Sequence, residues 1–252
     1  MNIRIIGSGT STGVPQIGCT CPVCISADPR DSRLRASAIV ETKDARILID
    51  CGPDFREQML HLPFEQIDGV LITHEHYDHV GGLDDLRPFC RLGAVPIYAE
   101  ENVTKGLRLR MPYCFVEQTY PGVPNIPLHE IVPGQAFQIN RTEILPVRVM
   151  HGRLPIVGYR IGNMGYITDM LTMPEDSFEQ LIGVDVLVMN ALRTALHPTH
   201  QNMEGALAAA KRIQAKETYF VHMSHEMGLH AVIDDQLPAH FHLAYDGMEI
   251  RC

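Results

Sequence analysis

The 252-residue chain contains no Trp, and Phe and Tyr number only 8 each. No apolar run approaches the roughly 18–20 residues of a membrane span. The opening Met1-Asn2-Ile3-Arg4-Ile5-Ile6 gives way at once to Gly7 and Ser8, without the apolar stretch and cleavage site of a secretory signal. The expectation is a cytoplasmic protein whose cysteines stay reduced rather than forming a disulfide framework. Basic charge is also scarce: 21 Lys+Arg against 30 Asp+Glu leave a formal charge of −9. That excludes a general binder of nucleic-acid polymers, which needs many Lys and Arg to displace counterions. A small anionic substrate stays open, because bound metals supply positive charge locally. Low-complexity tracts, fixed-period repeats and long polar linkers are absent as well, so residues 1–252 read as one domain. What the chain has in quantity is His (13) and Cys (7).

Short runs rich in Ile and Val recur and have the length of buried strands. They are Ile3–Ile6, Ser37–Val40, Ile47–Ile49, Val70–Thr73, Ile97–Ala99, Glu143–Val149, Gly158–Ile161, Gly165–Thr168, Val184–Met189 and Glu217–His222. Helical patterns fall at Pro53–Leu60, Gly82–Leu92, Thr104–Met111 and Asn202–Ala215, the last favoured by its Ala run. Strands first meander and then alternate with helices, which predicts an α/β sandwich of two sheets. Tyr113–Pro133 is Pro-rich and reads as a long surface loop.

The strongest signal is Thr73-His74-Glu75-His76-Tyr77-Asp78-His79, which follows the apolar Gly69-Val70-Leu71-Ile72 and precedes Gly81-Gly82. Three imidazoles and a carboxylate so close together form a compact set of N and O donors for Zn, Mn or Fe. A strand ending in a tight loop aims His74 and His76 at one metal, while Asp78 and His79, further round the turn, face a second.

The motif His74-x-His76-x-Asp78-His79 resembles the signature of the metallo-β-lactamase superfamily. Leu48-Ile49-Asp50-Cys51-Gly52, Val147–Gly152 with His151, Tyr166-Ile167-Thr168-Asp169 and Phe220-Val221-His222 are similar to further pieces of that family and stand in its order. The resemblance implies an αβ/βα four-layer sandwich, two mixed sheets flanked by helices, with metals at one edge. It implies that His74, His76 and His151 hold one divalent ion, that Asp78, His79 and His222 hold another, and that Asp169 bridges them. A bridging hydroxide would then attack phosphorus in line. Asp50 would accept a proton from a metal-bound His and fix its tautomer.

Cys19-Thr20-Cys21-Pro22-Val23-Cys24 places three thiols where turns let them meet one tetrahedral zinc. His225, shortly after His222, is the best fourth ligand and would tie the two ends of the chain together. A redox-active cysteine group is the competing reading. Cys51, Cys90, Cys114 and Cys252 show no ligand spacing. This cysteine loop, an insertion at about residues 16–27, beside Gly7-Ser8-Gly9-Thr10-Ser11, resembles the PhnP phosphodiesterases of the carbon–phosphorus lyase pathway, in the tRNase Z-like branch.

That resemblance implies a phosphoric diester hydrolase. It would open 5-phosphoribosyl 1,2-cyclic phosphate to ribose 1,5-bisphosphate in phosphonate degradation, and would also act on 2′,3′-cyclic nucleotides and aryl phosphodiesters. In Leu196-His197-Pro198-Thr199-His200, His200 matches the family's general acid better than His197, and Asp78 is counted with it in the catalytic set. Arg87, Arg108, Arg148 and Arg193 are the cations considered for a substrate phosphate. The active pair is expected to be Mn or Zn, the thiolate site Zn, and the partners a small cyclic phosphodiester and a second copy in a homodimer, with no membrane. The alternatives are a tRNA 3′-processing endonuclease, a β-lactamase or thioester hydrolase, and a PqqB-like non-catalytic metal-binding or carrier protein. His61, His129, His230, His240 and His242 read as surface or packing residues.

Overall fold

The computed structural model describes residues 1–115 and 122–252. Two seven-stranded sheets carry the chain. The first runs from edge to edge as β14 (Glu249–Arg251), β1 (Asn2–Gly7), β2 (Ser37–Glu41), β3 (Arg46–Ile49), β4 (Gly69–Leu71), β5 (Ile97–Ala99) and β6 (Leu128–Glu130). The second runs as β13 (Phe241–Leu243), β12 (Glu217–Val221), β11 (Val186–Asn190), β10 (Met164–Ile167), β9 (Leu154–Ile161), β8 (Thr142–His151) and β7 (Phe137–Ile139). Both sheets are mixed, antiparallel up to β3 and β10 and parallel beyond them. Six helices are described: α1 (Phe55–Met59), α2 (Tyr77–Val80), α3 (Glu101–Arg110), α4 (Glu175–Leu181), α5 (Met203–Ile213) and α6 (His230–Asp234).

Side-chain alternation explains the layers. On β3, Ile47 and Ile49 join Val186 and Val188 of β11 in a core between the sheets, with Ile3, Ile5, Tyr159 and Tyr166. The intervening Leu48 faces the other way, onto Phe55 of α1 and Val103 and Leu107 of α3. Leu187 and Met189 likewise turn outward against Phe178 and Leu181 of α4 and the Ala206, Ala210 and Ile213 face of α5. Strands apolar on both faces are those that need cover on both sides, and the result is helix, sheet, sheet, helix.

The predicted strands all occur, with ends shifted by a few residues. The strands β6, β7, β13 and β14 escaped notice: each is three residues long and, unlike β4 and β5, mixes apolar with polar or charged residues instead of lying in an apolar run; α2, α4 and α6 are likewise short. Gly82–Leu92 is not one helix but two 3₁₀ turns, Leu83–Leu86 and Phe89–Arg91. Pro88 lies between them and has no N–H to continue a helix. The expected loop Tyr113–Pro133 contains the end of a 3₁₀ turn (Pro112–Cys114) and β6, which pairs with β5; the part at 116–121 lies outside the described residues.

Polar contacts also join the two sheets, and one of them is fully buried. The buried Tyr159 hydroxyl of the second sheet donates to the Ile72 carbonyl, 2.6 Å away, just before the histidine motif. Tyr159→Phe leaves that carbonyl without its partner and should lower stability by about 1–2 kcal/mol, read as a lower denaturant midpoint with unchanged slope.

Candidate metal centre

The site lies where strand ends of both sheets meet. Asp50 follows β3, Asp169 closes the turn after β10, and His222 follows β12. All three have left-handed backbone, with φ of 58°, 56° and 57°. Asp and His are among the few L-residues that visit this region with any frequency. The reversal ends each strand and throws the side chain inward across the sheet edge. His74 and His76 lie in the loop after β4, and Asp78 and His79 on α2, a single helical turn where the sequence suggested only a loop.

Six imidazoles form a closed ring. Going round it, His76–His74, His74–His79, His79–His222, His222–His200, His200–His151 and His151–His76 have centroids 4.5, 4.2, 5.7, 5.1, 4.5 and 5.2 Å apart. Asp169 contacts three of them. Its oxygens lie 3.0 Å from His200 Nε2, 3.1 Å from His222 Nε2 and 3.2 Å from His79 Nε2. Asp78 lies 3.1 Å from His79 Nε2 and 3.6 Å from His222 Nε2. Asp78, His79, Asp169 and His222 thus converge as one set of donor atoms. The other half differs from the expected grouping: His151 and Asp169 converge with His200, while His74 Nε2 sits 2.9 Å from His76 Nδ1.

Outer acceptors set the tautomers. Asp50 accepts from His79 Nδ1 at 2.7 Å and from the Thr73 N–H and hydroxyl, each at 2.8 Å. Because that hydroxyl donates to Asp50, His74 Nδ1 donates to Thr73 Oγ1 at 3.1 Å. His151 Nδ1 donates to the Thr199 carbonyl at 3.0 Å. Three rings therefore hold their proton outside and turn the Nε2 lone pair inward. His79 Nε2 and both His222 nitrogens are buried with no aligned hydrogen-bond partner. Inward lone pairs facing carboxylates are what a divalent cation requires.

The electrostatics follow from burial and crowding. Burial disfavours charge on His79, yet Asp169, Asp50 and Asp78 outweigh it and hold the imidazole well above its ordinary value. Burial also opposes ionisation of Asp169 and Asp78, but for Asp169 His222, His79 and His200, and for Asp78 His79 and His222, keep both carboxyls below the usual range. Burial lowers His74, and the neighbouring His79 adds to this. His200 is lowered by burial, partly offset by its bond to Asp169.

Thr73, Thr168 and Thr199 were missed as functional. Each immediately precedes a site residue, and that adjacency was the available signal. The Thr168 hydroxyl donates to Asp169 at 2.7 Å, and Thr199 Oγ1 lies 3.0 Å from His200 Nδ1. His197 Nδ1 stands 3.1 Å from the same nitrogen. Three of the four considered arginines are engaged by carboxylates, Arg87 by Asp84, Arg148 by Glu100 and Arg193 by Glu226; Arg108 lies over the Phe115 ring.

A second cluster stands apart. Cys19, Cys21, Cys24 and His225 bring their ligand atoms together, with His225 Nδ1 3.4 Å from Cys19 Sγ and 3.3 Å from Cys21 Sγ. The Cys24 backbone N–H and the His225 ring lower the Cys21 thiol to about 6, while burial raises Cys24 to about 11. The N-terminal loop is pinned to the His222 strand end through Thr10 N–H to Met223 O and Met223 N–H to Ser8 O, each 3.0 Å. All seven cysteines are free thiols. Of the remaining histidines, His230 is buried with Nδ1 3.1 Å from Arg33, His240 and His242 pair with Glu217, and His129 stacks on Tyr98.

A family model described as "Beta-lactamase superfamily domain" matches residues 45–223. A crystal structure of a new diphosphatase from the PhnP family is 40% identical, with a TM-score of 0.92, over 99% of this chain and 96% of that one. The chain belongs to the metallo-β-lactamase superfamily, in its tRNase Z/PhnP-like branch. Zn²⁺-bound PqqB from Methylobacterium extorquens shares the fold, with a TM-score of 0.81 at 20% identity over the whole of both chains. An octanoyltransferase from Porphyromonas gingivalis is 45% identical over 99% of this chain. The chain spans about half the length of the first curated relatives it matches, 51% and 54%. No helix among the described residues is long and apolar enough to cross a membrane.

The superfamily site thus rests on Asp50, whose carboxylate is fully buried beneath His79. Asp50→Ala strips the acceptor from His79 and from Thr73 together. Stability should fall by about 3 kcal/mol, the scale for breaking a buried ionic pair, in equilibrium urea unfolding.

Proposed function

We propose that this protein is a metal-dependent phosphodiesterase acting on small cyclic phosphodiesters, with 5-phosphoribosyl 1,2-cyclic phosphate as the substrate type and ribose 1,5-bisphosphate as the product. The observation that carries this reading is the closed ring of six imidazoles beside Asp169, in which His74, His79 and His151 hold their protons outward and turn lone pairs inward. The donor set suits two divalent ions, Mn or Zn, held by His74, His76 and His151 and by Asp78, His79 and His222, with Asp169 shared. Such ions supply charge neutralisation at the phosphoryl oxygens and acidify water. The likeness to a PhnP-family diphosphatase supports phosphorus chemistry. The three thiols and His225 suit a structural zinc, whose role is to hold the N-terminal loop against the His222 strand end.

The protein's own groups divide the remaining work. Asp50, Thr73 and Thr199 orient the imidazoles. His200 Nε2 stands beside Asp169 at the inner wall and donates a proton to the leaving alkoxide oxygen. Its Nδ1 contact with His197 gives it a neighbour from which a proton can be replaced. The acidic chain, without a basic arm, fits a small substrate better than tRNA.

Hydrolysis of bis(p-nitrophenyl) phosphate after loading with Mn²⁺, Zn²⁺ or Ni²⁺ tests the reading, and turnover is expected. Silence with all three metals favours the PqqB-like carrier, and turnover of octanoyl thioesters alone favours a thioester hydrolase. His200→Ala should slow esters with alkyl leaving groups at least 10-fold more than nitrophenyl esters, because nitrophenolate departs without a proton. Equal losses on both would remove His200 from the acid role.

A further inference from the structure

We infer that Arg153 holds a second, non-reacting phosphate of the substrate; the inference rests on the phosphodiesterase reading above. His151 and Leu154 are paired, so Gly152 and Arg153 form the two-residue tip of the β8–β9 hairpin. Gly152 has φ of 59°, and a Cβ placed on it would meet Thr199 Cγ2 at 3.1 Å. The tip therefore seats directly on the loop that carries His197, Thr199 and His200. Arg153 is the other residue of that tip, exposed, two residues from His151 and next to the glycine that meets Thr199.

The other guanidiniums near the site are committed. Arg148 is clamped by Glu100 and the Ile156 carbonyl, and Arg110 by Glu75. Arg193 is held by Glu226 and the Leu196 carbonyl. Arg35 is held by Asp54 and the Ser11 carbonyl. A substrate phosphate would have to break an ion pair to reach any of these. Arg153 is exposed and, among the described residues, makes neither an ion pair nor a hydrogen bond. Arg offers a planar fork that matches two phosphate oxygens at once. The geometry thus selects phosphodiesters that bear a further terminal phosphate over those that do not.

The test compares adenosine 2′,3′-cyclic phosphate with and without a 5′-phosphate, using metal-loaded wild type, Arg153→Ala and Arg153→Lys. Wild type should show a lower KM for the 5′-phosphorylated ester. In Arg153→Ala that KM should rise about 10- to 100-fold relative to the change on the ester lacking the phosphate, as for one lost charge-assisted contact. The change should fall on KM rather than kcat, and Arg153→Lys should recover part of it. Turnover of both esters without a wild-type preference, or with a preference that survives Arg153→Ala, overturns the inference alone. Absence of turnover on these esters and on bis(p-nitrophenyl) phosphate overturns it together with the phosphodiesterase reading.

Discussion

Three residues at strand ends, Asp50, Asp169 and His222, take up left-handed backbone conformations, and the rest of the site is arranged around them. For a residue with a Cβ this conformation costs on the order of 1 kcal/mol. The cost is offset by what the reversal allows. A strand residue continuing in extended geometry would point into one of the packed layers. A left-handed residue instead turns its side chain over the end of the sheet, into the seam between the two halves. Asp50 then reaches under His79, and Asp169 reaches His79, His200 and His222 together.

The positions of Asp50 and Asp169 are equivalent. Each follows the last antiparallel strand of its sheet, at the point where pairing becomes parallel. The two strand ends meet at one seam because the sheets pack face to face through Ile47, Ile49, Val186 and Val188. The same chain architecture thus occurs twice, once for each carboxylate, although no repeat is visible in the sequence.

Charge balance explains why so polar a cluster can be buried. Each imidazole whose outer nitrogen is engaged presents a lone pair to the interior, and the carboxylates of Asp78 and Asp169 add negative charge beside them. Burial alone would push these carboxyls toward the neutral acid, yet the neighbouring histidines hold them ionised. The proposed divalent ions would take the place that imidazolium charge otherwise fills. The cysteine cluster contributes at a distance, through the backbone bonds between the N-terminal loop and Met223, next to His222.

The sequence by itself determined the strands, the two-sheet sandwich and the composition of the site. Buried strands leave contiguous Ile and Val runs, and the dense His74–His79 segment stands out against any background. His151, Asp169 and His222 were legible only through resemblance, since one His or Asp after a strand carries no distinguishing pattern. The single helical turn of α2, the broken segment at Pro88 and the short edge-side strands β6, β7, β13 and β14 were beyond reach, because such elements are stabilised by their neighbours rather than by local periodicity. Tertiary structure alone decided which nitrogen of His74, His79 and His151 faces inward, that His200 sits beside His151 and Asp169, and that among the described residues Arg153 has no ion pair while Arg148 and Arg193 do. These are relations between side chains far apart in the chain, and only the face-to-face packing of the two sheets brings their strand ends within reach of one another.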